Sequence, residues 1–221
     1  MKKIIYSLLI FMISSNIIFA QDKTEEKEKE DKTKKEKTFE EVTKQSKLIE
    51  GLFDIYQDSI SGKIQMLIKE EQLSKDFIYG SQIADGIVQA GGFRGLYNDE
   101  KIINFKKFFD KIEISFINTN FYFDKNNPLY KSREANISNA IISSSKIDFH
   151  DKENGTYLIN ANDLFLSESL TRVKPPSRPN QSRTAFSLGS LDKAKSKIMD
   201  IRNYPENLNI KTDYVYNNPN I

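Results

Sequence analysis

The sequence predicts an α+β protein, mainly antiparallel β-sheet with one or two short helices packed on it. Between residues 51 and 165, apolar and polar residues alternate in short runs bounded by turn residues, which is the period of a half-buried strand. The chain contains 15 Phe and 10 Tyr, and aromatic residues are enriched in strands. It contains no Cys, so a packed core must stabilise it without disulfides.

The first 20 residues have the pattern of a secretory signal peptide. Lys2 and Lys3 precede an apolar run at 4–13, and Ala20 is the small residue at the expected cleavage site. A membrane anchor, the alternative, would need about 20 apolar residues to span the bilayer. We therefore expect an exported protein, periplasmic or extracellular, that is not attached to a membrane after signal cleavage.

Two further segments follow the signal peptide. Residues 21–45 alternate Lys and Glu with almost no apolar residue before Phe39, so they are predicted to form a charged disordered linker. Residues 46–221 are predicted to form one β-rich domain. The formal net charge of +2 is too close to neutral to indicate nucleic acid as a partner.

The first part of the domain is predicted to form a hairpin followed by a third strand. Phe53 and Ile55 alternate with polar residues, which predicts a strand at 52–57. A turn that ends at Gly62 leads into its hairpin partner at 64–68. A helical turn is expected at 70–73, followed by a third strand through Phe77 and Tyr79.

The middle of the domain predicts a second hairpin and a helix. Residues 102–109 and 111–118 form the clearest hairpin, and Phe121 and Phe123 are expected to continue the meander. Asn127 before Pro128 is typical of a helix start. The spacing of Ile137, Ala140 and Ile141 predicts a short helix that packs on the sheet.

The last part of the chain predicts three more strands and one amphipathic helix. Strands are expected at 146–150 and 156–160, and Asn162 or Asp163 is expected to cap one helical turn. An exposed loop is then expected at 172–183. Apolar spacing through Leu191, Ala194, Ile198 and Ile201 predicts a helix at 191–201, and a final strand is expected at 209–216.

The glycine-rich segment at 91–95 has two interpretations. Glycines let backbone amides approach an anion, as in a phosphate-binding loop, and Arg94 could bind a carboxylate. However, the segment lacks the Gly-Lys-Ser/Thr ending of such loops. The favoured interpretation is a tight connection in which glycines adopt positive φ.

The acidic residues of one turn and the single histidine are two further candidates for a functional site. Asp148, Asp151 and Glu153 surround one turn and could hold calcium, although their spacing matches no EF-hand loop and acids are common in turns. His150 is the single histidine of the chain, whereas a catalytic zinc site needs several His or Cys ligands. A Ser-His-Asp arrangement is formally open to it, but we expect a solvated strand-end histidine. No catalytic, cofactor-binding or metal-binding residue is therefore predicted.

Exposed aromatic residues offer a binding surface instead. Tyr56, Tyr79, Tyr122 and Tyr157 lie on alternating predicted strands and could form a face for glycan or peptide. The alternative is that these tyrosines occupy half-buried sheet positions, with packed rings and solvated hydroxyls.

Several short segments, in a fixed order, resemble one protein family. The chain resembles the amino-terminal region of exported bacterial zinc-dependent metalloproteases of the metzincin type. The similarity covers about residues 48–221. The similar segments are GLFDIYQD at 51–58, SGKI at 61–64, EQLSKDFIY at 71–79, AGGFRG at 90–95, YFD at 122–124, NNPL at 126–129, EANIS at 134–138, NDLFLSE at 162–168, FSLG at 186–189 and IRNYPEN at 201–207.

The resemblance implies a module rather than an enzyme. Members of that family carry a downstream peptidase domain in which His-Glu-x-x-His holds zinc, and this chain contains no such motif. The resemblance therefore implies no cofactor in this chain and zinc in the full-length proteins. Its implied partners are a peptidase domain, in cis or in trans, and a polypeptide substrate.

Two expectations follow for the function. Because the resembling proteins continue beyond the equivalent of residue 221, we expect a truncated product that is incomplete at its C-terminal end and inactive alone. The expected roles are to assist folding of the peptidase domain, to shield its cleft or to bind its substrate. The alternative is a free-standing exported protein that binds glycan or peptide.

Overall fold

The predicted fold class is confirmed: antiparallel strands dominate the computed structural model, which describes residues 38–133, 137–173 and 188–218. From Phe39 onward the chain forms one unit. The strands are β1 (Ser46–Ile49), β2 (Asp54–Asp58), β3 (Ile64–Lys69), β4 (Asp76–Gln82), β5 (Tyr97–Phe108), β6 (Lys111–Phe116), β7 (Ala140–Asp151), β8 (Thr156–Asn160), β9 (Ser190–Leu191), β10 (Lys197–Asn203), β11 (Leu208–Asp213) and β12 (Tyr216–Asn217).

Eight of these strands form one sheet in the order β1-β2-β3-β8-β7-β6-β5-β4, and every pairing is antiparallel. The long strand β7 joins two halves, because its first residues pair with β6 and its last residues pair with β8. β1 and β4 are the two edges of this sheet. β10 pairs with β11, and β9 pairs with β12, in two small additional sheets.

The large sheet curls around a single core. Phe53, just before β2, has its ring centroid 5.0 Å from that of Phe77 on β4 and 5.2 Å from that of Phe105 on β5. Because β2 and β4 lie near opposite ends of the strand order, these contacts require the sheet to bend back on itself. The residues that fill the core are Phe53, Ile55, Ile64, Met66, Ile68, Phe105, Ile112, Ile114, Tyr157, Ile159, Ala161, Leu164 and Leu170.

A short helix, α1 (Phe39–Thr43), packs on the outer face of the first half of the sheet. The Phe39 ring lies 5.4 Å from the rings of both Tyr56 and Phe149. Leu158, the register partner of Phe149, is fully buried on this face. The folded unit therefore begins within the predicted linker at 21–45, because Phe39 has an aromatic surface to pack against.

Several local predictions are confirmed. A 3₁₀ helix occupies Glu70–Gln72, where a helical turn was expected. The side chain of Asn127 accepts a hydrogen bond from Leu129 N at 2.9 Å, which caps the 3₁₀ helix Pro128–Ser132. The expected helical turn after β8 is present as α2 (Asn162–Phe165), but the prediction that Asn162 or Asp163 caps it is wrong, because its N-cap is Ala161 and no side chain caps it.

Two predicted helices are wrong, and both segments contain strand residues instead of a helix. Residues 137–141 lead into β7, where Ile141 pairs with Ser115 and its side chain is exposed. Residues 191–201 contain the end of β9 and most of β10. A β-bulge between Ile198 and Asp200 lets Ile198 and Ile201 both pack against the core, so the strand reproduces a helical i, i+3 spacing.

Three other expectations have different outcomes. Phe121 and Phe123 lie in the connection between β6 and β7, so the prediction that they continue the meander is wrong. The loop expected at 172–183 falls largely outside the described residues. The predicted final strand at 209–216 corresponds to β11 followed by the start of β12.

Candidate functional site: the open edge of the large sheet

The glycine-rich segment is a turn, as favoured. Gly91 and Gly95 both have φ of +81°, in the left-handed region that disfavours other residues. Gly95 N donates to Ile83 O at 2.8 Å, which closes the connection between β4 and β5. Arg94 forms an exposed ion pair with Asp85 at 2.9 Å.

The acidic residues considered for calcium do not converge. Asp151 caps its turn by accepting hydrogen bonds from Glu153 N and Asn154 N, each at 3.0 Å. A hydrogen bond from the Asn154 side chain, together with these two backbone bonds, lowers the pKa of the Asp151 carboxyl. Asp148 instead accepts from Gln65 Nε2 at 3.1 Å. Across the described ranges, no group of three or more His, Cys, Asp or Glu side chains is placed to hold a metal ion.

His150 is not the solvated residue that the sequence predicts. The His150 ring stacks on the Tyr157 ring, with 4.5 Å between their centroids. The Lys107 ammonium lies 5.4 Å from the centroid of the Tyr157 ring. Tyr157 is 2% exposed, and its hydroxyl donates to Glu70 Oε2 at 2.7 Å. Burial, reinforced by Glu70, raises the pKa of Tyr157 to about 12. This cluster packs one end of the core.

The four tyrosines proposed as an aromatic face do not share a surface. Tyr56 lies under helix α1, whereas Tyr157 is a core residue. Tyr79 packs against the core, and its hydroxyl makes a short hydrogen bond with Thr171 Oγ1. Tyr122 lies on the β6–β7 connection and is 91% exposed. The alternative, tyrosines at packed sheet positions, is therefore the better description for three of the four.

The backbone register leaves one side of β4 open. Ile117 N donates to Ile102 O at 2.8 Å, so the backbone groups of Ile102 point away from β4. Ile78 is the register partner of Ile102, which makes this a non-hydrogen-bonded pair. Because the two kinds of pair alternate along a strand, the N–H and C=O groups of Asp76, Ile78 and Gly80 point away from β5. No strand pairs with that side of β4 in the described part of the chain.

The outer-face side chains of β4 are solvent-accessible. Asp76, Ile78, Gly80 and Gln82 are all exposed, and Ile78 is 90% exposed. A Cβ built on Gly80 would meet no atom within 4 Å. We call the outward backbone groups of β4 and these side chains the β4 edge. It offers a template for an added strand.

A tyrosine network lies on the inner side of β4. The Tyr214 hydroxyl contacts Phe165 O and Ser167 O, each at 2.9 Å, while the Tyr216 hydroxyl donates to Glu168 Oε1 at 2.8 Å. Burial raises the pKa of Tyr214 to about 12, and the nearby Tyr79 contributes to that shift. These hydroxyls therefore remain protonated donors at neutral pH. They connect the 165–171 segment and the C-terminal strands to Tyr79.

The sequence predicted a strand through Phe77 and Tyr79 but gave no sign that it is an edge. Its openness arises because β3 pairs with the distant strand β8 rather than with β4. The absence of Lys and Pro from β4 gives no hint either, because such residues are what commonly marks a protected edge.

The curled antiparallel sheet with one open edge defines a β-rich member of the α+β class. Residues 95–220 match the family described as Domain of unknown function (DUF5117). The match covers more than half of the 221 residues, and the chain belongs to this family. β4 lies before the matched region. No curated protein and no solved structure matches the chain. None of the helices in the described ranges is long and apolar enough to cross a membrane.

Proposed function

We propose that this chain is a non-catalytic module of an exported zinc-dependent metalloprotease and that it binds polypeptide along the β4 edge. The observation that carries the binding role is the open side of β4, a strand of seven residues with an exposed Ile78. An extended peptide can add a strand to such an edge through main-chain hydrogen bonds. The sequence resemblance described above supports the protease context.

Substrate binding is the role that this edge favours among the three expected ones. Unfolded polypeptide supplies the extended backbone that an edge strand pairs with, and it is the material on which a peptidase acts. In this proposal a peptidase domain, in cis or in trans, supplies the zinc and the catalytic residues. The signal-like segment at residues 1–20 supports export.

The glycan-binding alternative has less support. It depends on tyrosines gathered on one face, whereas Tyr56, Tyr122 and Tyr157 lie under a helix, on a loop and in the core. Polypeptide binding needs only the backbone of β4 and its exposed side chains.

Two substitutions at one residue test the binding role. Gly80→Pro removes an outward N–H and places a ring on the open side, whereas Gly80→Ala keeps that N–H and meets no neighbouring atom. Fluorescence anisotropy with labelled casein should show binding to the wild-type chain and the Ala variant but not to the Pro variant. Circular dichroism checks that all three are folded. No binding by the wild-type chain, or equal binding by the Pro variant, would contradict the proposal.

Casein cleavage tests the non-catalytic role separately. The purified chain should release no casein fragments, with or without added Zn²⁺. Zinc-dependent cleavage that a chelator abolishes would overturn this part of the proposal.

A further inference from the structure

We infer that the β4 edge selects extended polypeptide segments in which two basic residues flank an apolar residue at alternate positions. This inference rests on the proposed strand addition and names the substrate class for that same edge. It follows from the side chains that an added strand would meet on the outer face.

The central position of the added strand faces an apolar surface. Ile78 is 90% exposed, and Ile102 is its cross-strand partner on β5. A residue paired with Ile78 would have its Cβ about 5 Å from that of Ile78. An apolar side chain at this position would bury Ile78, which a polar side chain would leave in contact with water.

The next outer-face position gives access to a carboxylate. Gly80 pairs with Glu100, whose side chain is exposed. Because Gly80 has no side chain, a residue of the added strand opposite Gly80 has a clear path to Glu100. The two backbones are two strand spacings apart, about 10 Å. Long Lys and Arg side chains can meet a Glu side chain over that span, whereas short side chains cannot.

The opposite end of β4 presents a second carboxylate. Asp76 is exposed and pairs with Asn104 on β5. A basic residue opposite Asp76 would therefore face the Asp76 carboxylate directly. An acidic residue there would be repelled.

The same charges disfavour pairing between two copies of this chain. An antiparallel pair of β4 strands centred on Ile78 would place Asp76 of each copy opposite Gly80 of the other. Each Asp76 would then lie close to a Glu100, with the same sign of charge. Like charges at a contact suppress the wrong partner. A basic segment is therefore a better occupant than a second copy.

Matched peptides test this inference. The peptides TKTVTKT, TQTVTQT and TETVTET share one apolar centre and differ only in the flanking charge. Titration of the full chain at low salt should give an affinity for the Lys peptide about 10-fold or more above that for the Glu peptide, with the Gln peptide between them. Replacing the central Val by Ser should weaken binding of the Lys peptide.

A charge reversal in the protein completes the test. Glu100→Lys should reduce the preference for the Lys peptide several-fold, whereas the control Glu153→Lys, on the exposed β7–β8 turn, should not. If all three peptides bind equally and Gly80→Pro blocks them, the proposed function stands and this inference fails. If no peptide binds, both fail. A preference that Glu100→Lys leaves unchanged, or a dimer through β4 seen by light scattering, would also overturn the inference.

Discussion

The two edges of the large sheet differ in how they are protected. β1 has four residues, includes Lys47 and ends where the Asn203 amide donates to Ile49 O at 2.9 Å. β4 has seven residues with neither Lys nor Pro, and Gly80 leaves a gap in its outer face. Short length, Lys and covering segments are the devices that keep edges from pairing with other chains. Among the residues that the structure describes, one edge is therefore covered and the other is not.

Asn203 is central to the closed edge. Its side-chain amide donates to both Ile49 O and Phe53 O, at 2.9 and 2.6 Å, and its Oδ1 accepts from Leu52 N at 3.1 Å. The β10–β11 hairpin is thereby attached to the β1–β2 connection. Within the described residues, no comparable contact satisfies the outward backbone groups of β4.

The largest expected effect is at the closed edge. A Cβ on Gly51 would clash with the side-chain amide of Asn203, so Gly51→Ala must displace an amide that is held by three hydrogen bonds. We expect a loss of about 3 kcal/mol in the free energy of unfolding, measured by urea titration. The control is Gly80→Ala on β4, with an expected change within about 0.5 kcal/mol. Equal losses for both variants would contradict the contrast.

A second prediction compares two prolines on β4. Ser81 pairs with Asp99 with its N–H directed toward β5, so Ser81→Pro should cost about 2 kcal/mol through a lost ladder bond. Gly80→Pro replaces an N–H that points outward and should cost clearly less. Urea unfolding of the two variants measures the difference. Similar costs would show that the outward side of β4 is already paired.

The third prediction concerns alkaline pH. The pKa of Tyr157, in the half of the sheet that contains β1, is raised to about 12, so the folded state favours the neutral hydroxyl. Its contribution to stability is complete below the unfolded pKa of about 10 and is lost as pH rises through about 12. Tyr157→Phe should therefore flatten the fall in unfolding free energy between pH 10 and 12 by about 2 kcal/mol.

Tyr122→Phe is the matched control for that pH series, since it removes the same hydroxyl from a side chain that is 91% exposed. It should keep the wild-type profile. Tyr214→Phe extends the series to the network beneath β4, where burial also raises the pKa to about 12. An unchanged slope in both buried-tyrosine variants would contradict the role assigned to these hydroxyls.

Sequence patterns predict the local elements of this fold better than their arrangement. Alternation identified most strands of the large sheet, and Asn127 with Pro128 identified a capped turn. The bulge at Ile198 gives a strand the apolar spacing of a helix, because it places residues three apart on one side of the strand. A register irregularity depends on the partner strand, which local periodicity does not describe.

The candidate site was less predictable for the same reason. Whether β4 is an edge depends on the pairing of β3 with β8, whose residues lie far apart in the chain. The burial of Tyr157 and its contact with His150 likewise depend on cross-strand neighbours. The exposure of Ile78 and the gap above Gly80 become meaningful only once the strand order is known.

Residue-resolved amide hydrogen exchange tests the open edge most directly. In the free chain, the amides of Ile78 and Gly80 should exchange fast while those of Phe77 and Tyr79, which bond to β5, are protected. Saturating TKTVTKT should slow exchange at Ile78 and Gly80 without changing the protected pair. Uniform protection along β4 in the free chain would contradict the account, because it would mean that the outward backbone groups already have partners.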